Sequence, residues 1–423
     1  VGGNHTAARA GYAAGANGGA EENTLNLETG ARVTNGYAGY TTGVHVLVNP
    51  ADGAHPGLVD GTKNADAKGN TLNIRGGTLN AGGSLYGGYI ATNPSLSQVS
   101  AGDASGNTVN IESGTFDGGN AIYGGYTEGT GKATGNTINI GSESGTYSAP
   151  TLGNVTLYGG GGSAASDVVT GNTLNVYDSA TAANIKNFDS VRFKLTHPHH
   201  VPVGGTFLTL TNGTTSLDWK KIHVDGLDKV TASATDDRIY TLLHNGNGIH
   251  LDHYDATGTR DRIMANDYEV DMTTAGNSAT TTDVYLRGFR FRNNTEAAYA
   301  GTTATAAWGG RSIIGNTVEN NTLTLTGGNS TMTARGGMVE NTAASGGAGD
   351  AARNKLLLNT GAQTGDAYGA EVKTAAGSAR ENTAALNGGT VHGDLSGAAI
   401  TRAGATGDVT GNKVVLQGGS VMG

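Results

Sequence analysis

Gly69-Asn70-Thr71-Leu72-Asn73-Ile74 decides the fold. Apolar Leu72 and Ile74 alternate with polar Thr71 and Asn73, the period of a half-buried β-strand. The pentad that begins at Asn70 recurs at residues 23–27, 107–111, 136–140 and 172–176, and after an interruption at 321–325, 354–358, 382–386 and 412–416. Successive starts lie 47, 37, 29 and 36 residues apart in the first array and 33, 28 and 30 in the second. Self-similarity at such a period marks stacked supersecondary units. The expected fold is all-β: a parallel β-helix (β-solenoid) with an irregular β-rich middle segment.

Parity assigns the side chains. Residues one, three and five of each pentad share a face, so the apolar pair points inward and the leading Asn shares that side or the corner beside it. That Asn is present in all nine copies: Asn23, Asn70, Asn107, Asn136, Asn172, Asn321, Asn354, Asn382 and Asn412. The outward fourth residue is Asn in the first array but Thr324, Leu357, Ala385 and Val415 in the second. Stacked about 4.8 Å apart, identical asparagines can hydrogen-bond along the stack while Leu, Ile and Val fill the interior. In the first array a turn such as Arg75-Gly76-Gly77 follows, and then a second strand ending in Leu85-Tyr86-Gly87-Gly88-Tyr89. Its counterparts contain Tyr123 with Tyr126, and Tyr158; residues 35–40 are a looser copy. Aligned tyrosines Tyr86, Tyr123 and Tyr158, and Tyr89 with Tyr126, are expected to stack. A structural role accounts for both sets.

Composition narrows the function. Gly is 72 of 423 residues, Pro 6 and charged residues 14%. Gly follows no three-residue period, which excludes collagen, and the recurring strands argue against disorder. The net charge of −9 without a basic cluster argues against nucleic-acid binding. No apolar run is long enough for a transmembrane segment. The absence of cysteine suits a reducing compartment or a cysteine-avoiding bacterial surface protein.

Three regions follow: an N-terminal array over 1–183, an irregular β-rich middle segment over 184–295 and a C-terminal array over 296–423. The middle segment holds strand-like runs at 206–210, 221–224, 239–243 and 283–292, and a weak helical pattern at 260–268.

The Gly-Asn-Thr-(Leu/Val/Ile)-Asn-(Ile/Val) repeats with Gly-Gly-Tyr, followed by Asn184-Ile185-Lys186-Asn187-Phe188-Asp189-Ser190-Val191-Arg192-Phe193, resemble passenger regions of Gram-negative autotransporter and haemagglutinin-like surface proteins. The resemblance covers about two thirds of the chain. It implies a parallel β-helix, an extracellular or bacterial cell-surface location, and adhesin work for most such passengers. It carries over no catalytic residue, and this sequence shows no membrane-barrel translocator.

Candidate chemistry is sparse. His197-Pro198-His199-His200 lacks a completing Cys or carboxylate, so an exposed loop explains it. His250 and Asp252 share a strand face without a nucleophile motif. Asp225, Asp228, Asp236, Asp237 and Asp252 invite calcium, but the spacing of a calcium loop is absent, so no cofactor is expected. Residues 159–162, four glycines, lack the Lys-Ser/Thr of a phosphate loop and read as a tight corner. Asn4, Asn212 and Asn293 head glycosylation-type sequons. Glu112, Asp117 and Glu128 have no evident partners. No enzyme is therefore expected, with a polysaccharide-active β-helix as the minor alternative.

The leading expectation is a secreted structural protein whose partner is a second copy of itself. The chain opens at Val1-Gly2-Gly3-Asn4 like the second half of a repeat, and its last repeat stops at Gly423. Run on into a following copy, Asn412 to Asn23 spans 34 residues, an ordinary repeat. Residues 412–423 and 1–26 are the expected joint, with Val414, Leu416 and Val421 on one side and Val1, Asn4 and Tyr12 on the other. The alternative is an adhesin that binds host or bacterial surface glycans or proteins through loops, the middle segment, Trp219 or Trp308.

Overall fold

The structure is a computed structural model that describes residues 4–13, 18–42, 65–92, 102–145, 150–163, 165–195, 201–202, 204–227, 238–255, 260–265, 267–295, 297–341 and 347–423. The chain is all-β with parallel sheets, and its only helical elements among the described residues are 3-10 turns such as Trp219–Lys221. It divides into two compact units. The first holds residues 1–226, 240–255 and 274–285; the second holds 227–239, 256–273 and 286–423.

In the first unit the pentads pair in parallel and in register. Thr24, Thr71, Thr108, Thr137 and Thr173 form one row, and Leu27, Ile74, Ile111, Ile140 and Val176 another. The row continues past the interruption of the sequence pattern, because Ser190–Lys194 pairs with Thr173–Val176 and Ile222–Asp225 pairs with Ser190–Lys194. Spacing between repeats varies from 29 to 47 residues without disturbing the register, so loops absorb the difference. A second row contains Asn4–Ala13, Arg32–Thr41, the end of Thr71–Ile90, Ala121–Thr127 and Thr156–Gly162. The expected break at Arg75-Gly76-Gly77 is a bend inside one 20-residue strand, Thr71–Ile90, with shifted register at Arg75 and φ 122° at Gly76. Glycine is needed there because side chains rarely adopt that angle.

The second unit stacks its repeats as three parallel sheets. One runs through Thr322–Leu325, Lys355–Leu358, Thr383–Val391 and Lys413–Val421. A second contains Ala306–Ser312, Thr333–Val339 and Ala367–Val372. The third is built from two-residue strands, Val318–Glu319, Ala351–Ala352, Ala379–Arg380 and Val409–Thr410. Their inward residues form clusters around Leu323, Leu325, Leu356, Leu358 and Leu386, and around Val318, Val339 and Val372. The segment with a helical pattern at 260–268 instead forms an antiparallel pair, Arg260–Ala265 against Tyr268–Thr274. Val270 and Met272 are buried in it, and strand pairing offers that burial where an isolated nine-residue helix is marginal.

Candidate functional site

The leading asparagines form two buried ladders. In the first unit the Nδ2 of Asn23, Asn70, Asn107 and Asn136 donates to the Oδ1 of Asn70, Asn107, Asn136 and Asn172 respectively, at 2.9, 2.9, 2.9 and 3.2 Å. The same Oδ1 atoms accept the backbone N–H of the preceding ladder asparagine at 2.9–3.0 Å. Asn321, Asn354, Asn382 and Asn412 repeat the arrangement in the second unit. The remaining Nδ2 hydrogen reaches a carbonyl, as from Asn107 to Ala67 at 3.0 Å. Each interior amide is therefore satisfied while fully buried, which is the condition for burying it without penalty.

The ladder also explains Gly-Gly-Tyr. A Cβ on Gly39, Gly88, Gly125, Gly160, Gly310 or Gly337 would lie 2.3–2.8 Å from the amide nitrogen of Asn70, Asn107, Asn136, Asn172, Asn321 or Asn354. The asparagine fills the space a side chain would need. Ala370, the register partner of Gly337, shows that the requirement relaxes near the end of the array. Residues 159–162, read as a corner, are strand: they close Thr156–Gly162, and the coil stays extended because Gly160 lies against Asn172.

Two features escaped the sequence pattern. The outward asparagines of the first array make a second ladder, in which Asn73, Asn110, Asn139 and Asn175 each donate to the preceding one, Asn26, Asn73, Asn110 or Asn139, at 2.7–2.8 Å. Their invariance within that array was the signal. Asn294, read as part of a sequon, is 5% exposed and heads the second ladder, its N–H donating to Asn321 Oδ1 at 3.1 Å. No alternating pentad follows it, so only its place in the stack reveals it.

The tyrosines form two columns. Tyr37, Tyr86, Tyr123 and Tyr158 stack with centroids 5.1, 5.1 and 4.6 Å apart, and Tyr40, Tyr89 and Tyr126 at 5.2 and 5.4 Å, with Tyr12 tilted by 39° against Tyr40 at 5.4 Å. Arg9 lies over Tyr40 at 4.4 Å at one end and Lys186 over Tyr158 at 5.8 Å at the other. Burial pushes Tyr86 up to about 12 and also raises Tyr89 and Tyr123. These phenols are neutral at physiological pH, and their ring faces are occupied by one another. Glu128 accepts from Tyr89, and from Thr92 N–H and Oγ1 at 2.8 Å. Burial opposes its ionised form, but these hydrogen bonds outweigh burial and hold its pKa below the usual value.

The carboxylates that had no evident partners have them: Arg75 for Glu112 at 3.3 Å, Arg32 for Asp117 at 3.2 Å, and Tyr89 and Thr92 for Glu128. Asp225 pairs with Lys194 at 2.5 Å and Arg192 at 3.2 Å, and His250 with Asp252 at 3.4 Å on an exposed strand face. His197, His199, His200, Asp228, Asp236 and Asp237 lie outside the described residues. Among the described residues no group of three or more metal-ligating side chains occurs, and no helix is long and apolar enough to cross a membrane. Trp219 is buried against Tyr254, and Trp308 lies under the Arg311 guanidinium at 4.4 Å.

The residues expected at the joint sit on the outermost strands. Val1 lies outside the described residues, and Asn4 opens Asn4–Ala13 with its backbone in register with Arg32. Tyr12 ends a tyrosine column and is 58% exposed. Val414, Leu416 and Val421 on Lys413–Val421 are 45, 66 and 44% exposed, whereas their register partners Ala384, Leu386 and Val391 are at most 2% exposed. No protein-family model, curated protein or solved structure matches the chain.

Proposed function

We propose that the chain is a parallel β-solenoid that stacks head to tail on further copies, as an extracellular filament or as part of a long surface stalk. The observation that carries this reading is the position of the exposed core. Among the described residues, six of the seven exposed large hydrophobic side chains lie on or beside the first and last repeats: Tyr12, Val409, Val414, Leu416, Val421 and Met422. Among the described residues nothing covers the last repeat, where Val409, Val414, Leu416 and Val421 have the buried register partners Ala379, Ala384, Leu386 and Val391. Full burial of such side chains is worth about 1.5–3 kcal/mol each. Six that are already half covered offer on the order of 5–10 kcal/mol before the cost of association.

The polarity of the ladder supports the same reading. Every rung of the two leading-asparagine ladders donates toward the C-terminal side, opposite to the outward ladder, so Asn412 presents its N–H outward, and Asn23 presents an Oδ1 with no donor among the described residues. Donor end and acceptor end are complementary, and a heterologous contact of this kind does not close on itself. The open strand edges, Thr24–Glu28 and Lys413–Val421, are parallel-pairing templates. The resemblance of the repeats to surface-protein passengers agrees with an extracellular place.

Electron microscopy with intact mass tests the proposal. Fibres built from chains near 42.4 kDa are expected, and Leu416→Asp should abolish them with little change in subunit stability, since Leu416 is already largely exposed. Fibres that persist in Leu416→Asp with Val414→Asp, or monodisperse wild-type monomers at high concentration, would overturn stacking between copies. A mass far above that of this chain would make the covering repeat a covalent continuation, as in a stalk.

A further inference from the structure

In the second unit a groove of about 700 Å³ runs along the stack of repeats. Its floor is the outward row Thr322, Lys355, Thr383 and Lys413, held in register by parallel pairing. Its rim is the corner before each strand, where the backbone is left-handed at Asn320 (φ 58°), Arg353 (φ 54°), Glu381 (φ 57°) and Gly411 (φ 66°). The first unit has the same rows with different chemistry. After Glu22 its corners are Gly69, Gly106, Gly135 and Gly171, and its floor is threonine throughout the pentads. The repeat therefore needs neither a side chain at the corner nor a charge on the floor. Placing Arg and Glu in the left-handed region costs backbone strain that glycine avoids, and such strain is retained where the side chain has a use.

We propose that this groove binds an acidic polysaccharide lying along the stack, with uronate or sulfate on alternate sugars. Repeats in parallel register are about 4.8 Å apart, so the floor presents a cation at every second repeat, about 10 Å apart, with a threonine hydroxyl between. Lys355 and Lys413 are exposed and carry no ion pair among the described residues. Arg353 is fixed on the rim by Glu319 at 2.6 Å and Asn320 at 2.9 Å, and keeps further donors for an anion. Glu381, with no basic partner among the described residues, is placed to accept from sugar hydroxyls. A polymer charged at every unit, such as a nucleic acid, would set half its charges against Thr322, Thr383 and Glu381, on a chain of net charge −9. The groove lies within one unit and does not depend on copies stacking.

The test is fluorescence anisotropy of the full chain with a labelled decasaccharide of alternating uronate and neutral sugars, and with a neutral dextran of the same length. Binding of the uronate oligomer alone is expected, weakening more than tenfold between low and high salt because the contacts are exposed ion pairs. Lys355→Gln with Lys413→Gln should weaken it at least tenfold, and the two Lys→Arg substitutions should retain it. Lys68→Gln with Lys220→Gln, an equal change in net charge elsewhere, should leave it unchanged. Lys355→Gln alone, on an interior repeat, should weaken binding without altering sedimentation, which separates the groove from any effect of Lys413 on stacking. No binding of the uronate oligomer, equal binding of dextran, or equal loss in the Lys68/Lys220 variant would overturn the proposal.

Discussion

Asn107→Ala tests the ladder most sharply, because the damage should be directional. Asn107 is fully buried, its side chain takes part in four hydrogen bonds, and its backbone N–H makes a further one to Asn136 Oδ1. The substitution keeps its backbone N–H bond to Asn136 Oδ1 and strands three groups: the Asn70 N–H, one Asn70 Nδ2 hydrogen and the Ala67 carbonyl. A buried polar group left unpaired costs about 1–3 kcal/mol, so the loss should be about 3–6 kcal/mol after relaxation. Asn110→Ala, on the outward ladder, removes one donated and one accepted bond where water can replace them, and should cost less than about 1.5 kcal/mol. Global melting averages over a stack whose repeats interact only with neighbours, so amide hydrogen exchange is the better assay. In Asn107→Ala the Asn70 amide should exchange much faster, while the Asn136 amide, bonded to Asn172 Oδ1 at 2.9 Å, stays protected. Equal loss of protection at Asn70 and Asn136, or equal destabilisation by Asn107→Ala and Asn110→Ala, would refute a polar, load-sharing ladder.

Four further outcomes follow from the same geometry. Gly160→Ala places a Cβ 2.1 Å from the Ala133 carbonyl oxygen and 2.8 Å from Asn172 Nδ2, and should cost about 2 kcal/mol or more by the measure of an overpacked core, read by local hydrogen exchange. Gly246→Ala, which meets nothing within 4 Å, should be neutral or slightly stabilising in the same assay. Tyr86→Ala removes two face-to-face partners and should destabilise by about 3–5 kcal/mol in thermal unfolding, more than Tyr158→Ala at the column end. In an alkaline titration followed by phenolate absorbance, Tyr86 should ionise near 12. Its folded pKa is raised from an ordinary 10.0, so the stability it contributes is full below pH 10 and is lost as pH rises toward 12.

The alternation of Asn70-Thr71-Leu72-Asn73-Ile74, repeated nine times, determined the strands and which residues face inward, because strand side chains have a fixed period of two. It also aligned Asn107 under Asn70 and Tyr123 under Tyr86, since a repeat whose loops absorb length keeps its strands in register. What the sequence by itself did not determine is everything that depends on distance between repeats. The glycines of the strand-ending Gly-Gly-Tyr had no reason of their own until the Asn136 amide appeared in the space a Cβ on Gly125 would occupy. Asn294 looked like a sequon until its N–H was found on Asn321. Glu128 looked solitary until Tyr89 and Thr92, 36 to 39 residues away in sequence, met it on the neighbouring repeat. Residues 260–265 carried a helical period that strand pairing overrode, because burial against a neighbour outweighs local preference. A strand's period is local and is written in the chain. The direction of the ladder, the exposure of Leu416 and the charged groove over Lys355 exist only where repeats separated by about thirty residues are brought within hydrogen-bonding distance, and only the tertiary structure decides that.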